Sequence, residues 1–132
     1  MTTLVDTNIL FDILLEDSEW FEWSNSQLAE REGRLAVNQL ILAEVSIQFG
    51  SEEELEAALP EHLLRRIELP WNAAFVAGRR FWQYRSRGGP RTIPLPDFYI
   101  GAHALVSGFA LLTRDADFFR TNFPDVQLIC PK

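Results

Sequence analysis

Short apolar runs alternate along the chain with segments in which apolar residues recur every three or four positions. The runs predict five strands, at about residues 2–5, 34–37, 65–70, 109–113 and 126–130. The helical spacing predicts helices at about residues 7–15, 18–31, 39–49, 51–59, 71–84, 96–107 and 116–121. Strands that alternate with helices in this way predict a parallel β-sheet flanked by helices on both faces, a three-layer α/β/α fold.

Two of the predicted helices carry more specific signals. Ser51 precedes an acidic helix and Glu54 follows three residues later, which is the pattern of a capping box. In the helix at 71–84, Trp71, Phe75 and Trp82 fall within about 40° of one another at about 100° per residue. This spacing predicts that the three aromatic side chains form one buried stripe.

Four acidic residues stand where such a fold brings separate segments together. Asp6 ends the first apolar run, Asp115 follows the fourth, and Asp97 opens a helix. Glu44 borders the apolar stripe of its helix, so we expect its carboxylate to be partly desolvated and neutralised by a proton, an arginine or a metal. Parallel sheets form their sites at the carboxyl ends of the strands, so we expect the four side chains to converge there and bind a divalent cation.

Each of these acids also has an ordinary structural explanation. Helix capping is the default role for Asp6 and Asp97, and a salt bridge to an arginine is the alternative for Glu44. Asp115 and Asp117 both follow the fourth strand, where one of them can cap the short helix. We favour Asp115 as the metal ligand and keep Asp117 as a second candidate.

The neighbours of these acids complete the prediction. Thr7 follows Asp6 and is available to cap the helix or to orient a water. Arg114 is expected to pair with one of the two acids after the fourth strand, and Arg120 with Asp117. One of those two acids is therefore expected to be structural.

Oxygen atoms dominate the predicted ligand set. His62 and His103 lack the spacing of zinc ligands, and Cys130 is the only cysteine. His103 points away from Asp97 around their helix, so we expect it at the edge of the core or on the surface. All-oxygen ligands with few direct contacts favour Mg²⁺ or Mn²⁺, which keep several waters and bind phosphates.

Charge is distributed unevenly along the chain, whose net charge is -7. Residues 1–60 contain 13 acidic and 2 basic residues, whereas residues 61–132 contain 6 acidic and 10 basic residues. Arg85, Arg87 and Arg91 are candidates to contact phosphate near the carboxylates, and the alternative is an exposed face kept soluble by charge. The only lysine is the terminal one, which excludes P-loop chemistry.

The size of the chain, 132 residues with 47% hydrophobic, predicts a single domain. Its apolar stretches are shorter than the roughly 18 residues of a membrane span, and its N-terminus lacks the features of a secretory signal. The single cysteine cannot form an internal disulfide. We therefore expect a cytoplasmic protein without a membrane segment.

Four stretches together resemble the PIN-domain family, and within it the single-domain ribonuclease toxins of the VapC type from toxin-antitoxin modules. They are VDTNIL at the start, LAEV around Glu44, LPDFYIGAHAL, and the terminal LLTRDADFFRTNFPDVQLICP, in this order and at the usual distances. Each stretch is weak alone, but together they cover essentially the whole chain. The resemblance implies a PIN-like parallel sheet, with residues 1–132 as a single PIN domain.

The resemblance also implies an activity and partners. Asp6, Glu44, Asp97 and Asp115 fall on the four acidic positions of the family, which bind Mg²⁺ or Mn²⁺, here through Asp6, Asp97 and Asp115. Members of this type cleave single-stranded or looped RNA. They resemble homodimers that are silenced by a small cognate antitoxin, whose tail fills the active-site groove.

Three questions stay open at this point. Trp20, Phe21 and Trp23 either pack in the core or form a groove for an antitoxin helix. A non-catalytic PIN-like RNA-binding module is the alternative to a nuclease. A haloacid-dehalogenase-like phosphatase with Asp6 as nucleophile is disfavoured, because its motif needs an acid where this chain has Asn8.

Overall fold

The computed structural model describes residues 1–88 and 95–132. Its strands are β1 (Thr3–Val5), β2 (Leu35–Val37), β3 (Arg65–Arg66), β4 (Ala110–Leu112) and β5 (Leu128–Ile129). Its α-helices are α1 (Thr7–Leu14), α2 (Phe21–Glu30), α3 (Gln39–Val45), α4 (Glu52–Ala58), α5 (Asn72–Ser86), α6 (Leu95–Ser107) and α7 (Ala116–Asn122). Within these residues, none of the helices combines the length and apolar character that a membrane crossing requires.

The strands form one parallel sheet in the order β3-β2-β1-β4-β5. The chain runs outward from β1 to β3 and then crosses to the other side of β1 to form β4, so the strand order reverses between β1 and β4. Val5 of β1 lies opposite Leu112 of β4. The predicted three-layer α/β/α fold is confirmed. In such a fold, the crevice at the carboxyl ends of β1 and β4 is the expected place for a site.

Two of the helices are shorter than the sequence predicts. The helix predicted at 18–31 begins at Phe21, because the carboxylate of Asp17 accepts the N–H groups of Glu19 and Trp20 at 2.9 and 2.8 Å and holds them in a turn. The helix predicted at 39–49 gives way to a 3₁₀ turn after Val45.

The capping box predicted at the start of α4 is confirmed. The Ser51 hydroxyl accepts the N–H of Glu54 at 3.2 Å. The Glu54 carboxylate accepts the N–H of Gly50 at 2.8 Å, one residue before the usual partner. Three glutamates fill the first turn of α4, where the helix dipole favours negative charge.

Phe98, in α6, is the centre of an aromatic cluster that fixes this helix. Its ring centroid lies 5.0–6.2 Å from those of Phe81, Tyr84, Phe118 and Phe123. One turn further along α6, a Cβ added to Gly101 would overlap the ring of Phe123, so only glycine fits without displacement. This packing sets the position of the first turn of α6.

The buried face of α5 is not the one that the sequence predicts. Trp71, Phe75 and Trp82 are 94%, 70% and 62% exposed, whereas Ala73 and Ala77 are fully buried. Helical spacing identifies side chains that share a face, but it does not say whether that face meets the core. Here the alanines let α5 pack closely on α6, and the aromatic face of α5 (Trp71, Phe75 and Trp82) is exposed.

Candidate active site

Asp6 follows β1 at the crevice between β1 and β4. Its Oδ1 accepts the backbone N–H of Thr7 at 2.8 Å, so it caps α1, and its Oδ2 accepts the Thr113 hydroxyl at 2.7 Å. The amide of Asn8 donates to the same Oδ2 at 3.4 Å. Because Asp6 is only 7% exposed, it is a buried carboxylate held by groups from the ends of two paired strands.

Glu44 is joined to Thr7 rather than to an arginine. Its Oε1 accepts the Thr7 hydroxyl at 2.8 Å, which connects α3 to the start of α1. Among the described residues, no arginine forms an ion pair with it. The expected desolvation is wrong, since Glu44 is exposed. The buried stripe of α3 consists of Ile41 and Val45 alone, and Glu44 lies on its open side.

Asp97 lies in the first turn of α6, two residues after the helix begins, and is not the N-cap that the sequence suggests. It is half-buried. In the part of the chain that the structure describes, its carboxylate accepts no hydrogen bond. Its position is therefore set by the packing of α6, and above all by its neighbour Phe98, which is fully buried.

Asp115 and Asp117 are both exposed after β4. Asp115 stands at the N-cap of α7, yet its side chain makes no capping hydrogen bond. Its backbone N–H donates to the Thr113 hydroxyl oxygen at 3.0 Å. The charge of Asp115 acts on Asp97. These features support Asp115 over Asp117 as the fourth acid.

Two of the four carboxyl groups, those of Asp6 and Asp97, have raised pKa values. Burial raises the pKa of Asp6 to about 6 against the opposing effect of its hydrogen bonds, with smaller increases from Asp97 and Glu44. Burial also raises the pKa of Asp97 to about 6, and repulsion from Glu44 and Asp115 adds to it. The charges of Asp97 and Glu44 thus act on Asp6, and those of Glu44 and Asp115 act on Asp97.

These carboxylates are not gathered into a tight cluster. Within residues 1–88 and 95–132, no three acidic, histidine or cysteine side chains are close enough together to hold a metal ion. The expected close convergence is therefore not found, and Glu44 accepts a hydrogen bond from the Thr7 hydroxyl instead. The donor set nevertheless fits Mg²⁺ or Mn²⁺, since these ions favour oxygen, keep several waters and need only one or two carboxylates.

The arginines predicted to contact phosphate lie at or after the end of α5. Arg85 and Arg87 are exposed. The Arg85 guanidinium lies 5.7 Å from the Phe81 ring centroid, and Arg87 donates to Asn122 Oδ1 at 3.2 Å. None of these contacts joins them to a site carboxylate, and Arg91 lies outside the described residues.

The other arginine predictions are wrong. Arg114 pairs with Asp12 and not with an acid after β4, through bonds of 2.7 and 2.9 Å. Arg120 contacts Cys130 Sγ at 3.3 Å instead of Asp117. In both cases the true partner is distant in the sequence or on another element, so the neighbouring acid was a misleading guide.

His103 is a core residue, contrary to the expectation that it lies at the core edge or on the surface. It is fully buried, and its Nδ1 lies 3.0 Å from Nδ2 of Asn38, the residue that caps α3. Burial lowers the pKa of His103, so the imidazole is neutral at pH 7. It joins the N-terminus of α3 to α6, and among the described residues no hydrogen bond connects it to a site carboxylate.

Sequence reasoning missed Thr113 and Asp12 as parts of this region, and it assigned Arg114 the wrong partner. Thr113 ends the fourth predicted strand and Asp6 follows the first, and the pairing of β1 with β4 brings the two residues together. Asp12 gave no such signal. Of the aromatic residues in question, Trp20, Phe21 and Trp23 are all half-buried; Trp23 packs against the core, and Trp20 lies against Arg114.

The protein is thus an α/β protein with a parallel sheet, in which Asp6 and Asp115 follow the two strands between which the strand order reverses. The chain belongs to the PIN domain family, whose model matches residues 3–124. The family resemblance drawn from the sequence is thereby confirmed. None of the curated protein sequences matches the chain significantly.

Three solved structures illustrate the likeness. VapBC2 from Rickettsia felis, bound to a promoter DNA fragment, has 20% identity and a TM-score of 0.75, with 100% of both chains covered. VapBC-1 from nontypeable Haemophilus influenzae has 24% identity and a TM-score of 0.74, with 98% of each chain covered. A toxin-antitoxin complex from Klebsiella pneumoniae has 22% identity and a TM-score of 0.72, covering 99% of this chain and 98% of that one. At these identities the likeness concerns the fold.

Proposed function

We propose that this protein is a metal-dependent endoribonuclease and the toxin of a type II toxin-antitoxin pair. Asp6, Glu44, Asp97 and Asp115 form its active site, in which Asp6, Asp97 and Asp115 hold Mg²⁺ or Mn²⁺ either directly or through waters that the ion keeps. Residues 1–132 act as a single PIN domain in the cytoplasm. RNA is the substrate.

The observation that carries this proposal is the burial of Asp6 and Asp97 near other acids, without an arginine partner among the described residues. The pKa of Asp6 and that of Asp97 both rise to about 6. A structural acid in such a place is normally neutralised by an arginine, as Asp12 is by Arg114. Within the described residues, the four site acids have no such partner, which favours a bound cation.

The side chains divide the chemical work. A divalent ion held by Asp6, Asp97 and Asp115 would supply charge neutralisation at the scissile phosphate and an activated water. Asp6 is fixed by Thr113 and by the N–H of Thr7, so it presents a carboxylate in a set position. Glu44 uses Oε1 to accept the Thr7 hydroxyl, which leaves Oε2 to orient the attacking water and accept its proton.

The end of α5 supplies positive charge near the acids. The rings of Tyr84 and Phe98 are 5.6 Å apart, which places the last turn of α5 beside the first turn of α6, where Asp97 lies. We infer that Arg85 and Arg87, both exposed in that region, contact RNA phosphates. Arg91 stays a candidate for the same role.

Two protein partners belong to the proposal. A similar structure is described as a toxin-antitoxin complex, which supports a small antitoxin as the inhibitor of this chain. The aromatic face of α5 is an exposed apolar surface of the kind that association covers. It supports a homodimer, whose formation light scattering would measure.

Cleavage of single-stranded RNA in the presence of Mn²⁺ tests the activity. We expect the wild type to cleave, and Asp97→Asn to lose at least about 10²-fold in rate because a ligand charge is removed. Asp125→Asn is the matched control, since Asp125 is an exposed acid paired with Arg80 and has no role in the site. Circular dichroism would verify that both variants are folded.

The outcomes separate the alternatives. Full cleavage by Asp97→Asn would contradict the proposed site. RNA binding without cleavage by the wild type would favour a non-catalytic PIN-like module. In cells, expression of the chain should arrest growth, and coexpression of the short reading frame next to its gene should relieve the arrest; continued growth would contradict the toxin assignment.

A further inference from the structure

A buried ion pair stands beside the proposed site. Asp12, in α1, is only 2% exposed and receives two bonds from Arg114, Nε to Oδ2 at 2.7 Å and Nη2 to Oδ1 at 2.9 Å. The Ser24 hydroxyl of α2 donates to Oδ2 of the same carboxylate at 2.6 Å. The Arg114 guanidinium also lies 5.2 Å from the ring centroid of Trp20. The pair therefore connects α1, α2 and the segment after β4.

Arg114 occupies the middle of a turn whose other residues belong to the proposed site. Before it, Thr113 donates its hydroxyl to Asp6 at 2.7 Å. After it, Asp115 donates its backbone N–H to the Thr113 hydroxyl oxygen at 3.0 Å. The N–H of Arg114 itself donates to Asn8 Oδ1 at 3.2 Å. The turn is thus held by its backbone on one side and by the guanidinium on the other.

We propose that the Asp12–Arg114 pair positions the metal site, by holding the turn at residues 113–115 so that Thr113 donates to Asp6 and Asp115 stands next to that hydrogen bond. The inference rests on the proposed function for the identity of that site. A guanidinium bound through two parallel bonds fixes both distance and plane. Groups that orient metal ligands from outside commonly control metal affinity. Arg114 is accordingly a positioning residue.

The geometry argues against Arg114 as a contact for RNA phosphate. Its Nε and Nη2 are already used by Asp12, and its side chain is 27% exposed. Turning the guanidinium toward a phosphate would leave the Asp12 carboxylate buried without a countercharge, which is strongly unfavourable. The pair is therefore expected to stay intact when substrate binds.

A second pair in the same chain provides a matched control. Arg80 binds Asp125 through two bonds of 3.2 and 3.1 Å, its guanidinium lies 5.2 Å from the Phe123 ring centroid, and its side chain is 24% exposed. Asp125 follows α7 rather than β4. The two arginines thus share geometry, aromatic contact and exposure. The pairs differ in that Asp12 is buried whereas Asp125 is 48% exposed, and in that only Arg114 adjoins the proposed ligands.

The experiment compares the double variants Asp12→Asn with Arg114→Gln and Asp125→Asn with Arg80→Gln. Replacing both partners by amides avoids an unpaired buried charge, and circular dichroism and thermal unfolding would verify the fold. Mn²⁺ affinity is measured by electron paramagnetic resonance, and exchange of the Asp115 amide by NMR in metal-free protein. We expect the Asp12/Arg114 double variant to bind Mn²⁺ at least about 10-fold more weakly than the wild type and to exchange its Asp115 amide proton faster. The Asp125/Arg80 double variant should match the wild type in both measurements.

Other results would overturn the inference. If the Asp12/Arg114 double variant keeps the Mn²⁺ affinity and the Asp115 amide exchange of the wild type, the pair is a structural contact alone. A raised KM for RNA at unchanged Mn²⁺ affinity would assign Arg114 to the substrate. If the wild type does not cleave RNA, the proposed function fails, whereas Mn²⁺ affinity and amide exchange still decide the role of the pair, because neither measurement needs RNA.

Discussion

Asp6 and Asp97 reach the same raised pKa, about 6, in different surroundings. Asp6 is 7% exposed and is held by hydrogen bonds at the ends of two paired strands, including one from Thr113. Asp97 is half-buried and accepts no hydrogen bond within the described residues. After burial, repulsion from Glu44 and Asp115 is what raises its pKa.

This difference shows that the two halves of the site depend on different parts of the fold. The position of Asp6 follows from the pairing of β1 with β4 and from donors fixed to that edge. The position of Asp97 follows from the packing of α6, since its side chain accepts no hydrogen bond from residues 1–88 and 95–132. Substitutions should therefore disturb one half without the other.

The largest effect is expected from Phe98→Ala, which removes the ring that anchors α6 beside Asp97. Truncation of a fully buried phenylalanine costs about 3–5 kcal/mol in the free energy of unfolding. Phe75→Ala is the control, because Phe75 is 70% exposed and a surface change usually stays within about 0.5 kcal/mol. Urea unfolding measures both. Equal losses in the free energy of unfolding would mean that Phe75 is buried, as the sequence predicted for this face of α5.

The two phenylalanines also show how far the fold could be predicted. The order of strands and helices and the parallel sheet were predictable, because they depend on local periodicity and on the alternation of element types. The buried face of α5 was not. Trp71, Phe75 and Trp82 share a face by their spacing alone, but contact with α6 decides that the alanine face is covered.

The candidate site was predictable to a similar extent. The segments carrying the four acids could be chosen because Asp6 and Asp115 follow strands and Asp97 lies at a helix start. The wide spacing of the four carboxylates could not be predicted, since it depends on contacts of the complete fold such as the hydrogen bond from Thr7 to Glu44. Partners separated by about a hundred residues, such as the pair formed by Arg114, are likewise set by the complete fold.

The next effect, in order of size, is a loss of stability in metal-free protein as pH rises. The folded pKa of Asp6, about 6, lies above its unfolded value of 3.8, so folding favours the protonated form. The resulting stabilisation is complete below about pH 4 and disappears as pH rises through about 6. For a shift of this size the loss is about 3 kcal/mol, and Asp97 adds less because solvent screens it.

Urea unfolding in EDTA from pH 4.5 to 8 would measure this dependence. The difference in unfolding free energy between wild type and Asp6→Asn reports the contribution of Asp6 together with its repulsion of Asp97 and Glu44, since groups that do not interact with Asp6 titrate alike in both. As pH rises, the wild type should become less stable relative to Asp6→Asn. Added Mg²⁺ should restore the stability of the wild type at pH 8. A difference that is constant with pH would contradict the assigned pKa of Asp6.

A smaller effect is expected from Gly101→Ala in α6. The added Cβ would overlap the Phe123 ring, and overpacking of this kind costs about 1–3 kcal/mol. Gly78→Ala in α5 is the control, because a Cβ there meets nothing within 4 Å and alanine favours a helix by about 0.5–1 kcal/mol. Opposite signs in thermal unfolding would support the packing of α6. Stabilisation by both substitutions would show that α6 lies further from Phe123.

The smallest expected effect is the change in stability when Asp97 or Asp6 is replaced by asparagine. It distinguishes the two carboxylates most directly. In metal-free protein at pH 8, Asp97→Asn removes a repelled charge and breaks no hydrogen bond among the described residues, so we expect a gain of about 1 kcal/mol after solvent screening. Asp6→Asn also removes a buried charge, but with its amide oxygen on the N–H of Thr7 it places an NH2 group where Oδ2 accepts the Thr113 hydroxyl. The charge-assisted bond is then lost, which offsets the gain in part. Thr113→Val should therefore cost stability in the wild type and little in Asp6→Asn, while leaving Asp97→Asn as sensitive as the wild type. Equal sensitivity of all three backgrounds to Thr113→Val would mean that Asp6 is not held by the sheet edge, and the contrast between the two halves would be lost.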